Sequence, residues 1–92
     1  MKTTYMKLKV TVNPNPFTSE LAILIYGQFT VNAVLRLMNS AGTVIRVAGH
    51  TINSGDNKFK LSNLDRYATG PYTLEIKLLN GDLLESIKLV KI

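Results

Sequence analysis

A chain of 92 residues is one domain's worth of polypeptide, and with no cysteine it has neither a disulfide framework nor a thiolate metal site. Apolar residues make up 46% of it, which excludes a disordered chain, and a domain of this size buries roughly 60–65% of its unfolded surface. The net charge of +5 favours anionic partners, but Lys7, Lys9, Lys58, Lys60, Lys77, Lys88 and Lys91 are spread along the chain and mostly alternate with apolar residues, as on the wet face of half-buried strands.

Period-two alternation dominates, and no segment has a helical period. Met6, Leu8, Val10 and Val12 alternate with Lys7, Lys9 and Thr11 and predict the first strand; residues 1–5 before it read as a linker or as added residues. Asn13-Pro14-Asn15-Pro16 must end that strand, because proline donates no ladder bond and fixes φ. Leu21 to Tyr26 is apolar on both faces and predicts a central strand. Ala33–Met38 and Thr43–Val47 predict a hairpin through Asn39-Ser40-Ala41-Gly42, with Gly42 free to take positive φ.

Ala48 to Asn57 is polar, carries two glycines and reads as a loop, with a short strand near Thr51-Ile52. Lys58–Ser62 is the next strand, and Asn63–Thr69 is a connection with room for one helical turn. Pro71–Leu79 and Leu83–Val90 flank Asn80-Gly81, the pair that suits a type I′ turn with positive φ at both central residues. Six or seven short strands at regular spacing predict an all-β antiparallel sandwich; a small barrel is the alternative. The longest apolar runs are too short to span a bilayer. Met1-Lys2-Thr3-Thr4 lacks the apolar region of a signal peptide, so export requires a signal on other sequence.

Little here suits catalysis. The one histidine, His50, falls in the polar loop, where a solvated side chain is the expectation. The carboxylates Glu20, Asp56, Asp65, Glu75, Asp82 and Glu85 form no calcium-type cluster, and Glu75 and Glu85 read as surface charges beside lysines. No nucleophile elbow or phosphate-binding glycine loop occurs. The expectation is a domain with no enzyme activity, no cofactor and no metal. Nucleic-acid binding is not expected either: Phe59 lies between Lys58 and Lys60, but alternation puts its ring on the opposite face. An exposed aromatic platform for a glycan or protein surface would have to come from Tyr5, Tyr26, Phe29 or Tyr67, which form no regular stripe in the sequence. Tyr72, following Gly70-Pro71 at the start of a long strand, is placed to bury its ring and send its hydroxyl to upstream backbone, with Leu61 and Leu64 beneath that connection.

In their order along the chain, these features resemble the type A C-terminal sorting domain of the type IX secretion system. The resemblance rests on Pro14-Asn15-Pro16-Phe17, the alternating strand Leu21–Tyr26, the strand–turn–strand through Gly42, the segment Gly55 to Leu64, the strand opened by Gly70-Pro71-Tyr72, and the terminal Lys88-Leu89-Val90-Lys91. It covers residues 8–92, and Asp65–Thr69 is longer than the family's usual link. The resemblance implies an immunoglobulin-like sandwich with 6–92 as the sorting domain of an exported protein whose cargo precedes it. It implies outer-membrane secretion machinery and a sortase-like protease as partners, passage through the periplasm, and then delivery to the cell surface or release. The terminal strand Lys88, Leu89, Val90, Lys91 and Ile92 is expected to carry recognition, by backbone pairing and by alternate side chains, with charge from Lys88 and Lys91 and apolar contact from Leu89 and Ile92. Pro14, Asn15, Pro16, Phe17, Gly42, Leu64, Gly70 and Tyr72 are expected mainly to hold the sandwich in shape.

Overall fold

The computed structural model describes residues 8–92; Met6 and Lys7 of the expected first strand, residues 1–5 and the platform candidate Tyr5 lie outside the described residues. Seven strands form: β1 (Lys9–Asn13), β2 (Leu21–Gly27), β3 (Val31–Asn39), β4 (Val44–Ile52), β5 (Gly55–Leu61), β6 (Gly70–Leu78) and β7 (Leu83–Lys91). All pairings between them are antiparallel, and they make two separate sheets, β1-β2-β5 and β4-β3-β6-β7. This is the expected sandwich and not the barrel.

The alternation seen in the sequence is what fills the space between the sheets. Leu21, Ile23 and Ile25 of β2 and Leu61 of β5 face Ala33, Leu35 and Leu37 of β3 and Tyr72, Leu74 and Ile76 of β6, all of them buried. Phe17 and Leu64 close one end of this core from the β1–β2 and β5–β6 connections. β2 is central in its sheet, as expected, but only one of its apolar faces is covered: Ala22, Leu24 and Tyr26 point outward to solvent.

The two hairpins of the larger sheet share one turn design. Gly42 N–H donates to Asn39 O and Asn39 N–H to Thr43 O, both at 3.0 Å; Gly81 N–H donates to Leu78 O (2.9 Å) and Leu78 N–H to Asp82 O (2.8 Å). Each is a tight turn followed by a glycine with positive φ, +82° at Gly42 and +98° at Gly81. The type I′ expectation at Asn80-Gly81 is therefore corrected, because Asn80 does not have positive φ. Its side-chain oxygen instead accepts from Asp82 N–H at 2.9 Å, which holds the turn without a left-handed asparagine. Each hairpin also carries a register shift, at Leu37/Met38 and at Ile76/Lys77, and the residues so displaced, Ile45 and Leu84, pack against the core.

Where the sequence reads a loop over Ala48–Asn57, the structure continues β4 to Ile52 and starts β5 at Gly55. The residues look polar because β4 and β5 are edge strands, where half of each strand meets water. His50 is thus a strand residue stacked on Phe59 at 4.0 Å, closing one open side of the sandwich, and not a loop histidine. Phe59 does face away from Lys58 and Lys60, as alternation requires. The Asn63–Thr69 connection holds a hydrogen-bonded turn, Tyr67 N–H to Leu64 O at 3.1 Å, with no helix. Glu75 lies between Arg36 (3.9 Å) and Lys77 (4.0 Å) on the outer face, a surface charge group as expected.

Tyr72 opens β6 with its ring 5% exposed and its hydroxyl donating to Ala68 O, four residues upstream. This is the tyrosine corner found in immunoglobulin-type sandwiches. Tyr72→Phe is expected to lower stability by about 1 kcal/mol, read as a lower denaturation midpoint at unchanged m-value.

Candidate recognition pole

Residues far apart in the sequence meet at one end of the sandwich. That end is made by the end of β1, the start of β2, the β3–β4 turn, the end of β5, the start of β6 and the end of β7. Every motif residue lies there or in a connection that reaches it. Gly70 pairs with Lys91 and Tyr72 with Leu89; Leu64 N–H donates to Ser19 O at 2.9 Å, tying the β5–β6 connection to the segment before β2. Gly42 sits in the neighbouring turn, and that turn's Asn39 and Ser40 share an open cleft of about 200 Å³ with Gly70, Pro71 and Tyr72.

The Pro14–Phe17 corner closes the free edge of β7. β7 is the outermost strand of its sheet, so the backbone groups on its far side have no strand partner. The corner, which turns through cis peptide bonds before Pro14 and Pro16, supplies the partner instead. The Asn15 side chain accepts from Val90 N–H at 3.0 Å and donates to Lys88 O at 3.2 Å. Phe17 N–H then donates to Val90 O and Ile92 N–H to Phe17 O, each at 2.9 Å, forming a parallel bridge across from Lys91. Lys88 O, Val90 N–H, Val90 O and Ile92 N–H are thereby all occupied. The Phe17 ring, 1% exposed, packs edge-on against Tyr72 with centroids 5.8 Å apart.

This arrangement divides the terminal segment. Leu89, 2% exposed, is a core residue and offers no surface contact. Lys91 is 6% exposed, a buried residue across from the Phe17 bridge. Lys88, Val90 and Ile92 are the exposed members, with Val90 at 46% and Ile92 at 63%. Pro14, Pro16 and Pro71 are exposed too, and Pro71 pairs directly with Val90. The surface of this pole is therefore an apolar patch with one lysine, and the outward contacts expected from Leu89 fall to Val90. The alternation was legible, but its phase depends on which neighbour β7 packs against.

Two arginines lie at the β4 side of this pole, at the β5–β6 connection. Arg46 reaches from β4 to donate to Ser62 O and Asn63 O, and its guanidinium and that of Arg66 lie 5.9 and 5.5 Å from the Tyr67 ring centroid. Hydrogen bonding from Arg46, then from Arg66, holds the Tyr67 hydroxyl below the usual tyrosine range. Tyr67 also donates to Ile45 O at 3.3 Å, so the long Asp65–Thr69 link is anchored across to β4. Sequence spacing carries no sign of the Asn15, Arg46 or Tyr67 contacts, because each is made to a segment distant in the chain. Among the described residues no group of three or more metal-ligating side chains occurs.

By overall shape the chain is similar to parts of two glycosidases. It superposes on a β-glucosidase from Listeria innocua in complex with glucose with TM-score 0.57 at 7% identity, over 99% of this chain and 17% of that one. For a GH3 β-glucosidase from Bifidobacterium adolescentis the values are 0.53, 10%, 95% and 17%. The chain thus spans about a sixth of the solved structures it matches, and at these identities the likeness is one of fold. No curated protein matches the sequence. A family profile described as the secretion system C-terminal sorting domain matches residues 11–91, from β1 through the bridged end of β7. The chain belongs to that family, the C-terminal sorting domains of type IX secretion.

Proposed function

We propose that this domain is a non-catalytic sorting signal that carries a preceding cargo through the periplasm to outer-membrane machinery, which reads the pole built by the corner and the terminal strand. The family assignment supports the sorting role and an exported parent protein. The observation that carries the choice of pole is the closure of the β7 edge by Asn15 and Phe17, which fixes the tail in one position and leaves Lys88, Val90 and Ile92 outward. Backbone pairing along Lys88–Ile92 is already taken, so recognition falls to these side chains with Pro71 beside them. Lys9 pairs with Tyr26 at the opposite pole, which supports a reading in which the cargo precedes the domain on the side away from the patch. A sortase-like protease then removes the domain, leaving the cargo at the cell surface or released.

Truncating Leu89–Ile92 is a poor test, since it removes a core residue and the partners of Phe17. The better variant is Val90→Glu combined with Ile92→Glu in a reporter fused ahead of the chain. Both side chains are exposed, so the denaturation midpoint should move by no more than about 1 kcal/mol equivalent for the pair. Surface delivery should fall about tenfold, the factor that a loss of about 1.4 kcal/mol in recognition produces. Full delivery by a folded double variant would refute this pole as the signal.

A further inference from the structure

The outer face of the smaller sheet carries a second surface, on the side of β2 that the sequence assigned to the interior. Its middle row is Ala22, Leu24 and Tyr26, with Leu24 39% and Tyr26 51% exposed. The strand register gives this row two walls. Lys9 and Asp56 stand opposite Tyr26 on β1 and β5, and Thr11 and Lys58 stand opposite Leu24. Together they line an open groove of about 290 Å³, with Leu24 and Tyr26 as its floor.

We infer that this groove binds an acidic saccharide, with a sugar ring lying on Tyr26 and Leu24 and its anionic group between Lys9 and Lys58. Three features favour that occupant. Neither Lys9 nor Lys58 has a carboxylate within ion-pair distance among the described residues, whereas Lys60, farther along the same face, is paired with Glu20 at 3.4 Å. Two ammonium groups with no ion-pair partner among the described residues, set over an apolar floor, attract a ligand that carries charge on a body with apolar faces. Second, Asp56 and Thr11 supply acceptors on opposite walls, suited to sugar hydroxyls, which an acidic peptide lacks. Third, the scale is that of a small ligand. The groove is at the lower end of ligand-pocket volumes, and its eight lining residues fall well short of the roughly 20–30 residues a side of a stable protein interface.

This reading is independent of the sorting role, because the groove lies on the opposite sheet from Val90 and Lys88. The 92-residue chain can be titrated with tetragalacturonate, glucose 6-phosphate, neutral cellotetraose and hexaglutamate while the Tyr26 ring and Leu24 methyl resonances are followed. Saturable shifts at both residues with tetragalacturonate or glucose 6-phosphate are expected, the two probes telling a uronate carboxylate from a sugar phosphate. Tyr26→Ala and the pair Lys9→Gln with Lys58→Gln should each weaken binding about tenfold, and all three residues are exposed, so folding is retained. Equal binding of cellotetraose, tighter binding of hexaglutamate than of both acidic sugars, or no shift at Tyr26 with any sugar would overturn the inference.

Discussion

Phe17→Ala is expected to cost about 3–5 kcal/mol, the range for truncating a fully buried phenylalanine. The side chain is 1% exposed and packs edge-on against Tyr72, the residue that anchors the start of β6. A cavity there also undermines the corner, because the same residue's backbone bridges Val90 and Ile92. Small domains hold only about 5–15 kcal/mol in total, so a loss of this size leaves the variant marginal or unfolded at 37 °C. Urea unfolding should show a midpoint displaced by most of the transition, and the amides of Val90 and Ile92 should lose hydrogen-exchange protection before those of β3. A variant with near wild-type stability would mean that the corner is ornamental and that β7 stays in place without it. Pro14→Ala is a useful contrast: its ring is exposed, and no comparable cavity results.

Why one half of this design was readable and the other was not comes down to range. Alternation is a local signal, so the strands, the Gly42 turn and the inward phase of Leu35, Leu37, Leu74 and Ile76 follow from neighbours two residues apart. The Tyr72 corner is equally local, with its acceptor four residues away. Asn15 meets Lys88 and Val90 across separations of 73 and 75 residues, and no spacing rule reports such a pair. In two places composition misleads about conformation. Ala48–Asn57 is polar because edge strands meet water, not because it is a loop. Leu21–Tyr26 is apolar on both faces, yet only one is covered, since among the described residues the three-stranded sheet has no layer behind it. The motif residues were found by their order, while their common location needed the topology: they cap one pole because both sheets bring connections there.

Asn57 is where a single atom exchange should have the most telling effect. It lies on β5 at 8% exposure, and its carboxamide holds the turn by which the chain crosses from β4 to the other sheet. Oδ1 accepts from Asn53 N–H at 2.9 Å, while Nδ2 faces Ile25 O at 3.1 Å, Asn53 O at 2.9 Å and Gly55 O at 3.0 Å. Asn57→Asp keeps the acceptor and puts a second oxygen against three carbonyls. An ionised carboxylate there is buried and repelled, so its pKa in the folded state must rise above the unfolded value near ~3.9. The sign follows from that. Protonated, the acid can still donate one hydrogen bond, so the variant is most stable below the unfolded pKa; stability is then lost as pH rises towards the folded pKa, beyond which the loss is complete. A folded pKa raised by about two units corresponds to about 2.7 kcal/mol lost in all, most of it between pH 4 and pH 7, on top of a pH-independent cost of about 1–3 kcal/mol for the missing donors. The measurement is the urea midpoint of Asn57→Asp relative to wild type across pH 4–7. A difference that stays flat, or that narrows as pH rises, would show that the crossover turn does not depend on donation from this side chain.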